Sequence, residues 1–347
     1  MFGFYRTWLA LAVMAHHLVG VPLIGHYAVH GFFILSGYLM TYVVINTYGG
    51  SAKGFLSFCI NRAMRIYPAY WVILTCSVVL VVCLGGDYCS SYRASFYLPD
   101  TISVWLGNIS LVYPSFFPGE ITPRLSPPTW ALTVELFYYV AIALGVTGSW
   151  TRTKVLLVLS VMYFASTYVL DLDYVWRYNN IAAGSLAFAL GGVIYYKKED
   201  FIAFLCKFKG FSPLFLLFLF TLNPIIAVCI DRFLGVDVDS FSFYLNYLLN
   251  FLIISSLINQ KIPLLSRKVD KFIGDFSYPI YLMHWQVGAL VSYILYDEAV
   301  RGFTPAGLMS FTLSVILCAI FSWFVIRFVD EPIERIRAIV RNKVKPG

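Results

Sequence analysis

Long apolar stretches alternate with short polar segments along the whole chain. Ten of these stretches have the length of about 17–25 residues that a bilayer-spanning helix needs. They are 8–24, 28–47, 68–85, 128–147, 153–170, 178–196, 211–230, 241–259, 276–296 and 306–328. Because a helix satisfies its own backbone hydrogen bonds in lipid, this pattern predicts an all-α, polytopic integral membrane protein with about ten transmembrane helices.

Composition supports the same setting. Hydrophobic residues make up 60% of the chain and charged residues only 12%, against about 25% charged residues in a soluble domain. A water-soluble fold of this length has no interior large enough to bury so much apolar surface. We therefore expect one membrane-embedded domain, 1–347, in which the bilayer acts as part of the solvent.

The basic residues predict the orientation. If the N-terminus is cytoplasmic, 20 of the 25 Lys and Arg residues fall on the cytoplasmic side, as the positive-inside rule requires. The other five are Arg93, Arg124, Arg177, Arg232 and Arg301. This distribution predicts that both termini are cytoplasmic, with a short basic tail from about 329. The longest connection, 86–127, is then external, and its segment 101–113 is a candidate interfacial helix.

The first stretch carries two candidate functional residues. It is long for the apolar region of a signal peptide, and the positively charged segment before it holds only Arg6. We therefore expect a transmembrane helix that is not cleaved off. Arg6 and His17 are 11 residues apart, which places them on one helical face, about 16 Å apart along the axis. His17 suits a general base, because imidazole titrates near physiological pH. A neutral histidine packed against another helix is the alternative, and His16 points to the side.

A carboxylate and a further histidine lie in later stretches. In SPPTWALTVELFYY, Ser126 is the expected N-cap, and Glu135 lies about two turns into the helix beyond Trp130. A carboxylate at this depth is costly unless it is paired or protonated. Glu135 is therefore expected either to orient His17 or share its proton transfer, or to be a structural partner of a basic residue. In SYPIYLMHW, His284 fits a structural and a functional role equally well.

Two arginines precede the third apolar stretch. Arg62 and Arg65 are three residues apart in NRAMRIYPAYW, so they share one face of a helix. Guanidinium groups match phosphate oxygens, and this pair can form a phosphate clamp that Arg6 joins from the same membrane side. Anchoring to lipid headgroups is the alternative.

The stretch GFFILSGYLMT contains small residues at Gly31, Ser36 and Gly37. Small side chains allow close helix packing, and they also allow a ligand to approach the backbone. His26 and His30 precede this stretch, and we expect both to be solvated in a short outer turn.

The motifs of soluble enzymes are missing from the sequence. It contains no GxSxG, HExxH, Walker A or Rossmann glycine motif. The seven cysteines show no metal-binding spacing, so we expect no metal. The basic residues follow membrane topology, so we expect no nucleic-acid partner.

Taken together and in this order, these blocks resemble the acyltransferase-3 family of membrane acyltransferases. The resemblance covers nearly the full length and is carried by the Arg6–His17 spacing, GFFILSGYL, the Arg62 and Arg65 pair with IYPAYW, the Glu135 block, the His284 block and EPIERI at 331–336. Each block alone is weak, but the ordered set is specific. The family pattern has one histidine where this sequence has two, His16 and His17. His17 is favoured as the functional residue, because it lies on the same helical face as Arg6.

The resemblance implies O-acylation of carbohydrate in a bacterial cytoplasmic (inner) membrane. The donor is expected to be acetyl-CoA, and the acceptor a lipopolysaccharide, exopolysaccharide or lipid-linked glycan. It implies catalytic roles for His17 and Glu135 and donor binding by Arg6, Arg62 and Arg65. We expect His16, Ser36, Trp130 and His284 to contact substrate or support the site.

Two other interpretations remain. Ten spans with buried histidine and glutamate also suit a transporter or flippase of a glycan precursor. A structural or sensory membrane protein leaves the buried histidine and glutamate without a role. Covalent modification of the acceptor distinguishes an acyltransferase from both.

Overall fold

The computed structural model describes residues 2–207, 212–263 and 265–342, and these residues form helices without any β-strand. The helices are α1 (Gly3–Leu18), α2 (Ile24–Val43), α3 (Ala52–Leu84), α4 (Gly86–Tyr92), α5 (Ile102–Ser110), α6 (Trp130–Ala143), α7 (Trp150–Val169), α8 (Val175–Tyr178), α9 (Gly184–Lys207), α10 (Pro213–Leu234), α11 (Asp239–Asn259), α12 (Arg267–Asp275), α13 (Ser277–Tyr296), α14 (Pro305–Val325) and α15 (Glu331–Asn342). Each predicted apolar stretch overlaps one of them. The start of the seventh stretch, at 211, and the end of the basic tail, 343–347, lie outside the described residues.

The all-helical membrane architecture is confirmed. Within the described ranges, five helical segments are long and apolar enough to cross a bilayer by length and composition. They are Ile24–Tyr48, Ala52–Leu84, Pro213–Leu234, Asp239–Asn259 and Pro305–Arg341. The total of ten spans and the cytoplasmic position of both termini stay predictions.

Helices α1 and α13 run side by side in the same direction through the centre of the bundle. At the start of α1, the backbone N–H groups of Gly3 and Phe4 each donate to the carboxylate of Asp270, at 3.0 Å. A carboxylate at a helix N-terminus satisfies free N–H groups and the positive end of the helix dipole. We call this end of the bundle the proximal end. The distal end lies where the Gly302 N–H donates to the carbonyl of Leu18 at 2.9 Å.

Glycines bring α2 and α9 into close contact. A Cβ atom on Gly37 would lie 2.6 Å from the Phe188 carbonyl oxygen, and one on Gly191 would lie 2.3 Å from that of Ile34. Larger side chains would therefore force the two helices apart. This part of the small-residue stretch packs helix against helix, as one of the two interpretations predicted.

The first helix occupies different residues from those predicted. It begins at Gly3 and ends at Leu18, whereas the apolar stretch continues to 24. Gly20 has a φ of 84° and Leu23 a φ of 57°, so the chain turns sharply between α1 and α2. Pro22 cannot donate a helical hydrogen bond, which explains why the helix does not continue. Arg6 and His17 therefore both lie within α1, as their predicted common helical face requires.

Helix α3 begins well before the predicted apolar stretch 68–85, and Arg62 and Arg65 share a helix as predicted. Helix α3 is continuous over 33 residues and contains both arginines, with Pro68 in its interior. The Ser51 hydroxyl accepts from the Gly54 N–H and caps the helix start. Proline removes one helical hydrogen bond, and neighbouring helices in a membrane bundle compensate for such a loss.

The long connection 86–127 and the basic tail are both partly helical. The candidate interfacial helix forms as α5, and its apolar residues Ile102 and Leu106 are exposed. Beyond α14, a π-helical turn at Ile326–Asp330 leads into α15. Helix α15 packs against α3, where the buried Arg337 guanidinium donates to the Asn61 side-chain oxygen at 3.1 Å. The predicted tail is therefore an ordered helix as far as Asn342.

Candidate active site

A cavity of about 170 Å³ opens between α1, α2, α3, α6 and α13. This volume is roughly ten times the 10–15 Å³ that one buried water needs. Most of its lining is apolar. Its polar side chains are Arg6, Ser36, Arg62, Arg65, Glu135, Tyr139, Ser277, Tyr278 and Tyr281. Five of the residues that sequence analysis predicted thus meet in one cavity, although they come from four helices.

The cavity carries an excess of positive charge. Arg65 pairs with Asp330 at 3.1 Å. Arg6 and Arg62 form no ion pair with any carboxylate in the described part of the chain. The Arg62 Nη1 donates to the Met40 sulfur at 3.6 Å, and its buried Nε has no hydrogen-bond partner among the described residues. Both arginines are half-buried, and a cation without a counter-ion in such a place is costly.

Glu135 contributes the only carboxylate among the cavity-lining residues. The Ser36 hydroxyl donates to its Oε1 at 2.7 Å, and the Tyr139 hydroxyl lies 3.3 Å from the Ser36 hydroxyl. Ser36 therefore has a polar role beside the packing role of Gly37. Ser126 is the N-cap residue of the 3₁₀ turn that leads into α6, but its hydroxyl donates to the Leu282 carbonyl and makes no capping hydrogen bond.

The half-buried His17 and the buried His284 form a hydrogen-bonded pair beyond the cavity. His17 Nδ1 and His284 Nε2 lie 2.8 Å apart. His284 Nδ1 faces the carbonyl oxygens of Tyr281 and Ile280, at 2.9 and 3.2 Å. Carbonyl oxygens only accept hydrogen bonds, so His284 Nδ1 carries the proton and its Nε2 accepts from His17 Nδ1. These partners leave Nε2 of His17 with a free lone pair, as a base requires.

The expected pairing of Glu135 with His17 is absent. Glu135 binds Ser36, whereas His17 binds His284. Tyr281 adjoins both regions: it lines the cavity, and its ring lies 6.4 Å from the His284 ring. The reason is geometric, because α6 turns Glu135 towards α2 and α13 runs beside α1. His284, whose role the sequence left open, occupies the orienting position.

Comparison with known proteins agrees with the motifs. The model of the acyltransferase domain matches residues 4–327, nearly the whole chain. The chain belongs to the acyltransferase-3 family. No solved structure matches it.

One curated relative of this acyltransferase is the protein named "Putative peptidoglycan O-acetyltransferase YrhL", from Bacillus subtilis (strain 168). The two are 25% identical over 179 residues, which is 49% of this chain and 27% of that protein. The chain therefore spans about a quarter of the relative's length. The match supports a membrane acyltransferase and leaves the donor and acceptor open.

All five histidines lie in one network of ring contacts at the distal end, which His30 joins through Tyr178. The His16 ring lies 5.1 Å from the His17 ring and 4.9 Å from the His26 ring. His30 is buried and packs 4.6 Å from the Tyr247 ring. The expectation that His30 is solvated is therefore wrong, because the turn after α1 folds back into the bundle. Among the described residues, no group of three or more His, Cys, Asp or Glu side chains is arranged to hold a metal ion.

The remaining predicted residues lie outside the cavity. His16 Nδ1 donates to the Val21 carbonyl at 2.8 Å, away from the His17–His284 pair. Trp130 packs at 5.0 Å against the Tyr178 ring and does not line the cavity. Sequence analysis missed Tyr281, which lies three residues before His284 and so points to the same face of α13.

Proposed function

We propose that the protein is a membrane O-acetyltransferase that transfers acetyl from acetyl-CoA to a sugar hydroxyl of a cell-surface or lipid-linked glycan. Family membership supports acyl transfer. The observation that carries the finer proposal is the arginine-rich cavity with Glu135, next to a histidine whose Nε2 is free. The donor, the acceptor and the inner-membrane location are part of the proposal.

The donor binds at the proximal end, the predicted cytoplasmic side. Arg6 and Arg62 lack carboxylate partners, and CoA carries phosphate groups that guanidinium forks bind well. Arg65 is already held by Asp330, so it shapes the positive field more than it binds directly. The pantetheine arm then extends along the cavity towards Tyr281.

His17 acts as the base for the acceptor. A sugar hydroxyl attacks the thioester carbon, and its proton moves to Nε2 of His17. The new C–O bond forms while the C–S bond breaks. His284 accepts from Nδ1 of His17 and so positions the ring, as the orienting acid does in a Ser-His-Asp triad.

Glu135 serves the leaving group. It lines the cavity near the predicted donor site, so its protonated carboxyl supplies the proton that converts the CoA thiolate to the thiol. One proton thus moves from the attacking sugar hydroxyl to His17, and another moves from Glu135 to the leaving CoA sulfur. Direct transfer requires the reacting atoms to approach within about 3–3.5 Å, which in turn requires the acyl group to pass Tyr281.

A transfer assay tests the proposal. Membranes with wild-type protein and membranes with His17→Ala at a matched protein level receive radiolabelled acetyl-CoA and extracted glycans. We expect label in the glycan with wild type alone. Transfer by a well-folded His17→Ala protein would overturn the role of His17. Movement of an unmodified glycan across vesicles, with no label incorporated, would instead establish the transporter interpretation.

A further inference from the structure

A second group of cations lies at the distal end, away from the cavity. The guanidinium carbons of Arg93 and Arg301 lie 5.1 and 5.2 Å from the centre of one ring, that of Trp285. Arg301 also lies 5.3 Å from the Tyr92 ring. We call Arg93, Arg301, Tyr92 and Trp285 the distal cluster. Both arginines are exposed, whereas both rings are buried, so the charges stand at the surface on an apolar base.

The distal cluster adjoins the proposed base. The Trp285 ring lies 4.9 Å from the His17 ring. The Gly302 N–H, next to Arg301, donates to the carbonyl of Leu18, next to His17. A molecule held by the two arginines would therefore lie one aromatic ring away from His17.

These cations have no counter-ion in the described part of the chain. Neither Arg93 nor Arg301 takes part in an ion pair. Stacking on one indole attracts each cation, but it does not remove the repulsion between the two. Desolvation and, secondarily, the charge of Arg301 lower the pKa of the Arg93 guanidinium. An anion between them would relieve both costs.

A third arginine, Arg124, adds positive charge near the distal cluster. Arg124 is buried, and its Nε and Nη2 atoms have no hydrogen-bond partner among the described residues. Its backbone N–H donates at 2.7 Å to the carbonyl of Ser95, two residues after Arg93. The carbonyl of the adjacent Leu125 accepts from Gln286, the residue after Trp285. The backbone of Arg124 is thus held near the distal cluster, and its guanidinium carbon lies 4.8 Å from the Tyr113 ring.

We propose that the distal cluster, supported by Arg124, is an anion site that selects acceptors bearing a carboxylate or phosphate group near the acylated hydroxyl. The inference rests on the proposed function and makes it narrower: the acceptor is an acidic glycan. Exposed arginines on a rigid aromatic base suit this task, because guanidinium forks bind carboxylate and phosphate in two-point fashion.

The test uses full-length protein in nanodiscs and three matched oligosaccharide acceptors: neutral, uronate-containing and phosphorylated. Wild type should acetylate at least one acidic acceptor about tenfold or more better than the neutral one. The Arg93→Gln/Arg301→Gln double variant should lose about 10–100-fold in kcat/KM for that acceptor, the range expected for charge-assisted hydrogen bonds. Its activity on the neutral acceptor and its affinity for CoA should not change.

Two controls separate charge from fold. Arg232→Gln removes another exposed arginine, at the end of α10, and should leave the acceptor preference intact. Arg93→Lys/Arg301→Lys keeps the charge and should retain part of the preference. Which acidic acceptor responds identifies carboxylate or phosphate as the bound group.

Two outcomes would overturn the inference: equal use of neutral and acidic acceptors by wild type, or an equal loss on both in the double variant. If wild type acetylates none of the acceptors, the proposed function fails on these substrates and the site is judged by binding. A fluorescent uronate or phosphorylated oligosaccharide should then bind wild type and not the double variant. Equal binding to both proteins would refute the anion site itself.

Discussion

His284 is the most informative residue to change, because the structure and not the sequence placed it against His17. His284→Leu removes the acceptor of the 2.8 Å hydrogen bond from His17 Nδ1. His284 is fully buried, so no bulk water replaces it. An unsatisfied buried donor costs about 1–3 kcal/mol. The His17 ring would also lose its preferred tautomer and orientation.

The magnitude follows from those energies. A loss of about 1.4–2.8 kcal/mol in the transition state corresponds to about 10–100-fold in kcat. We expect this loss of kcat to be smaller than the loss caused by removing the aspartate of a Ser-His-Asp triad. The reason is that a neutral His284 stabilises an imidazolium less than a carboxylate does. The KM for acetyl-CoA should not change, since His284 does not line the cavity.

A conservative variant sharpens the test. In His284→Gln, the amide oxygen can accept from His17 and the amide nitrogen can donate to the Tyr281 carbonyl, which reproduces both bonds of the imidazole. The expected order of kcat is therefore wild type, then His284→Gln, then His284→Leu, measured by initial rates of label transfer at a matched protein level. A merely structural residue would not produce this order without a matching order of melting temperatures.

The matched control is His30→Leu. His30 is also buried and belongs to the same histidine cluster, but it contacts Tyr247 and Phe243, not His17. It should keep near wild-type kcat. Full activity in a folded His284→Leu protein, or an equal loss in His30→Leu, would refute the orienting role.

Three further predictions concern the cavity and the helix packing. Arg62→Gln should weaken CoA binding about 10–100-fold by calorimetry. Arg65→Gln should also lower the melting temperature, because it leaves Asp330 unpaired. Equal CoA affinity in wild type and Arg62→Gln would contradict the phosphate role. Glu135→Gln, in which Ser36 can still donate to an oxygen, should lower kcat by at least about 100-fold with unchanged CoA affinity, and normal turnover would remove Glu135 from the mechanism. Gly37→Ala should destabilise the protein by about 1–3 kcal/mol in thermal melts, because its Cβ would lie 2.6 Å from a backbone oxygen; Gly50→Ala, where nothing lies within 4 Å, is the control.

The helices were predictable because their causes are local. A helix closes its backbone hydrogen bonds within four residues, and apolar stretches of 17 or more residues have no better structure in lipid. The errors lie at the boundaries. Pro22 ends α1 early, whereas Pro68 is tolerated inside α3. Proline has the same chemistry at both places, so the surrounding bundle decides which outcome occurs.

The identity of the important side chains was also predictable in part. Glu135 was singled out because charge is costly in a membrane, and Arg6, Arg62 and Arg65 because guanidinium groups match phosphate. All four line one cavity. His17 was singled out as an ionisable group in an apolar stretch that suits a general base, and the structure leaves its Nε2 free. His30 was placed wrongly, because a sequence near a turn does not reveal whether that turn folds back into the bundle.

The sequence by itself determined the membrane setting, the helices and the family, because hydrophobic length, charge and ordered motifs are properties of neighbouring residues. Only the tertiary structure decided which polar groups meet. His17 and His284 are separated by 267 positions along the chain, and Glu135 meets Ser36 across 99. Such pairs depend on which helices pack together and how each is rotated, and a change of one residue in helix phase turns a side chain by about 100°. The same packing placed Arg93 and Arg301 on Trp285, beside the histidine that we propose as the base.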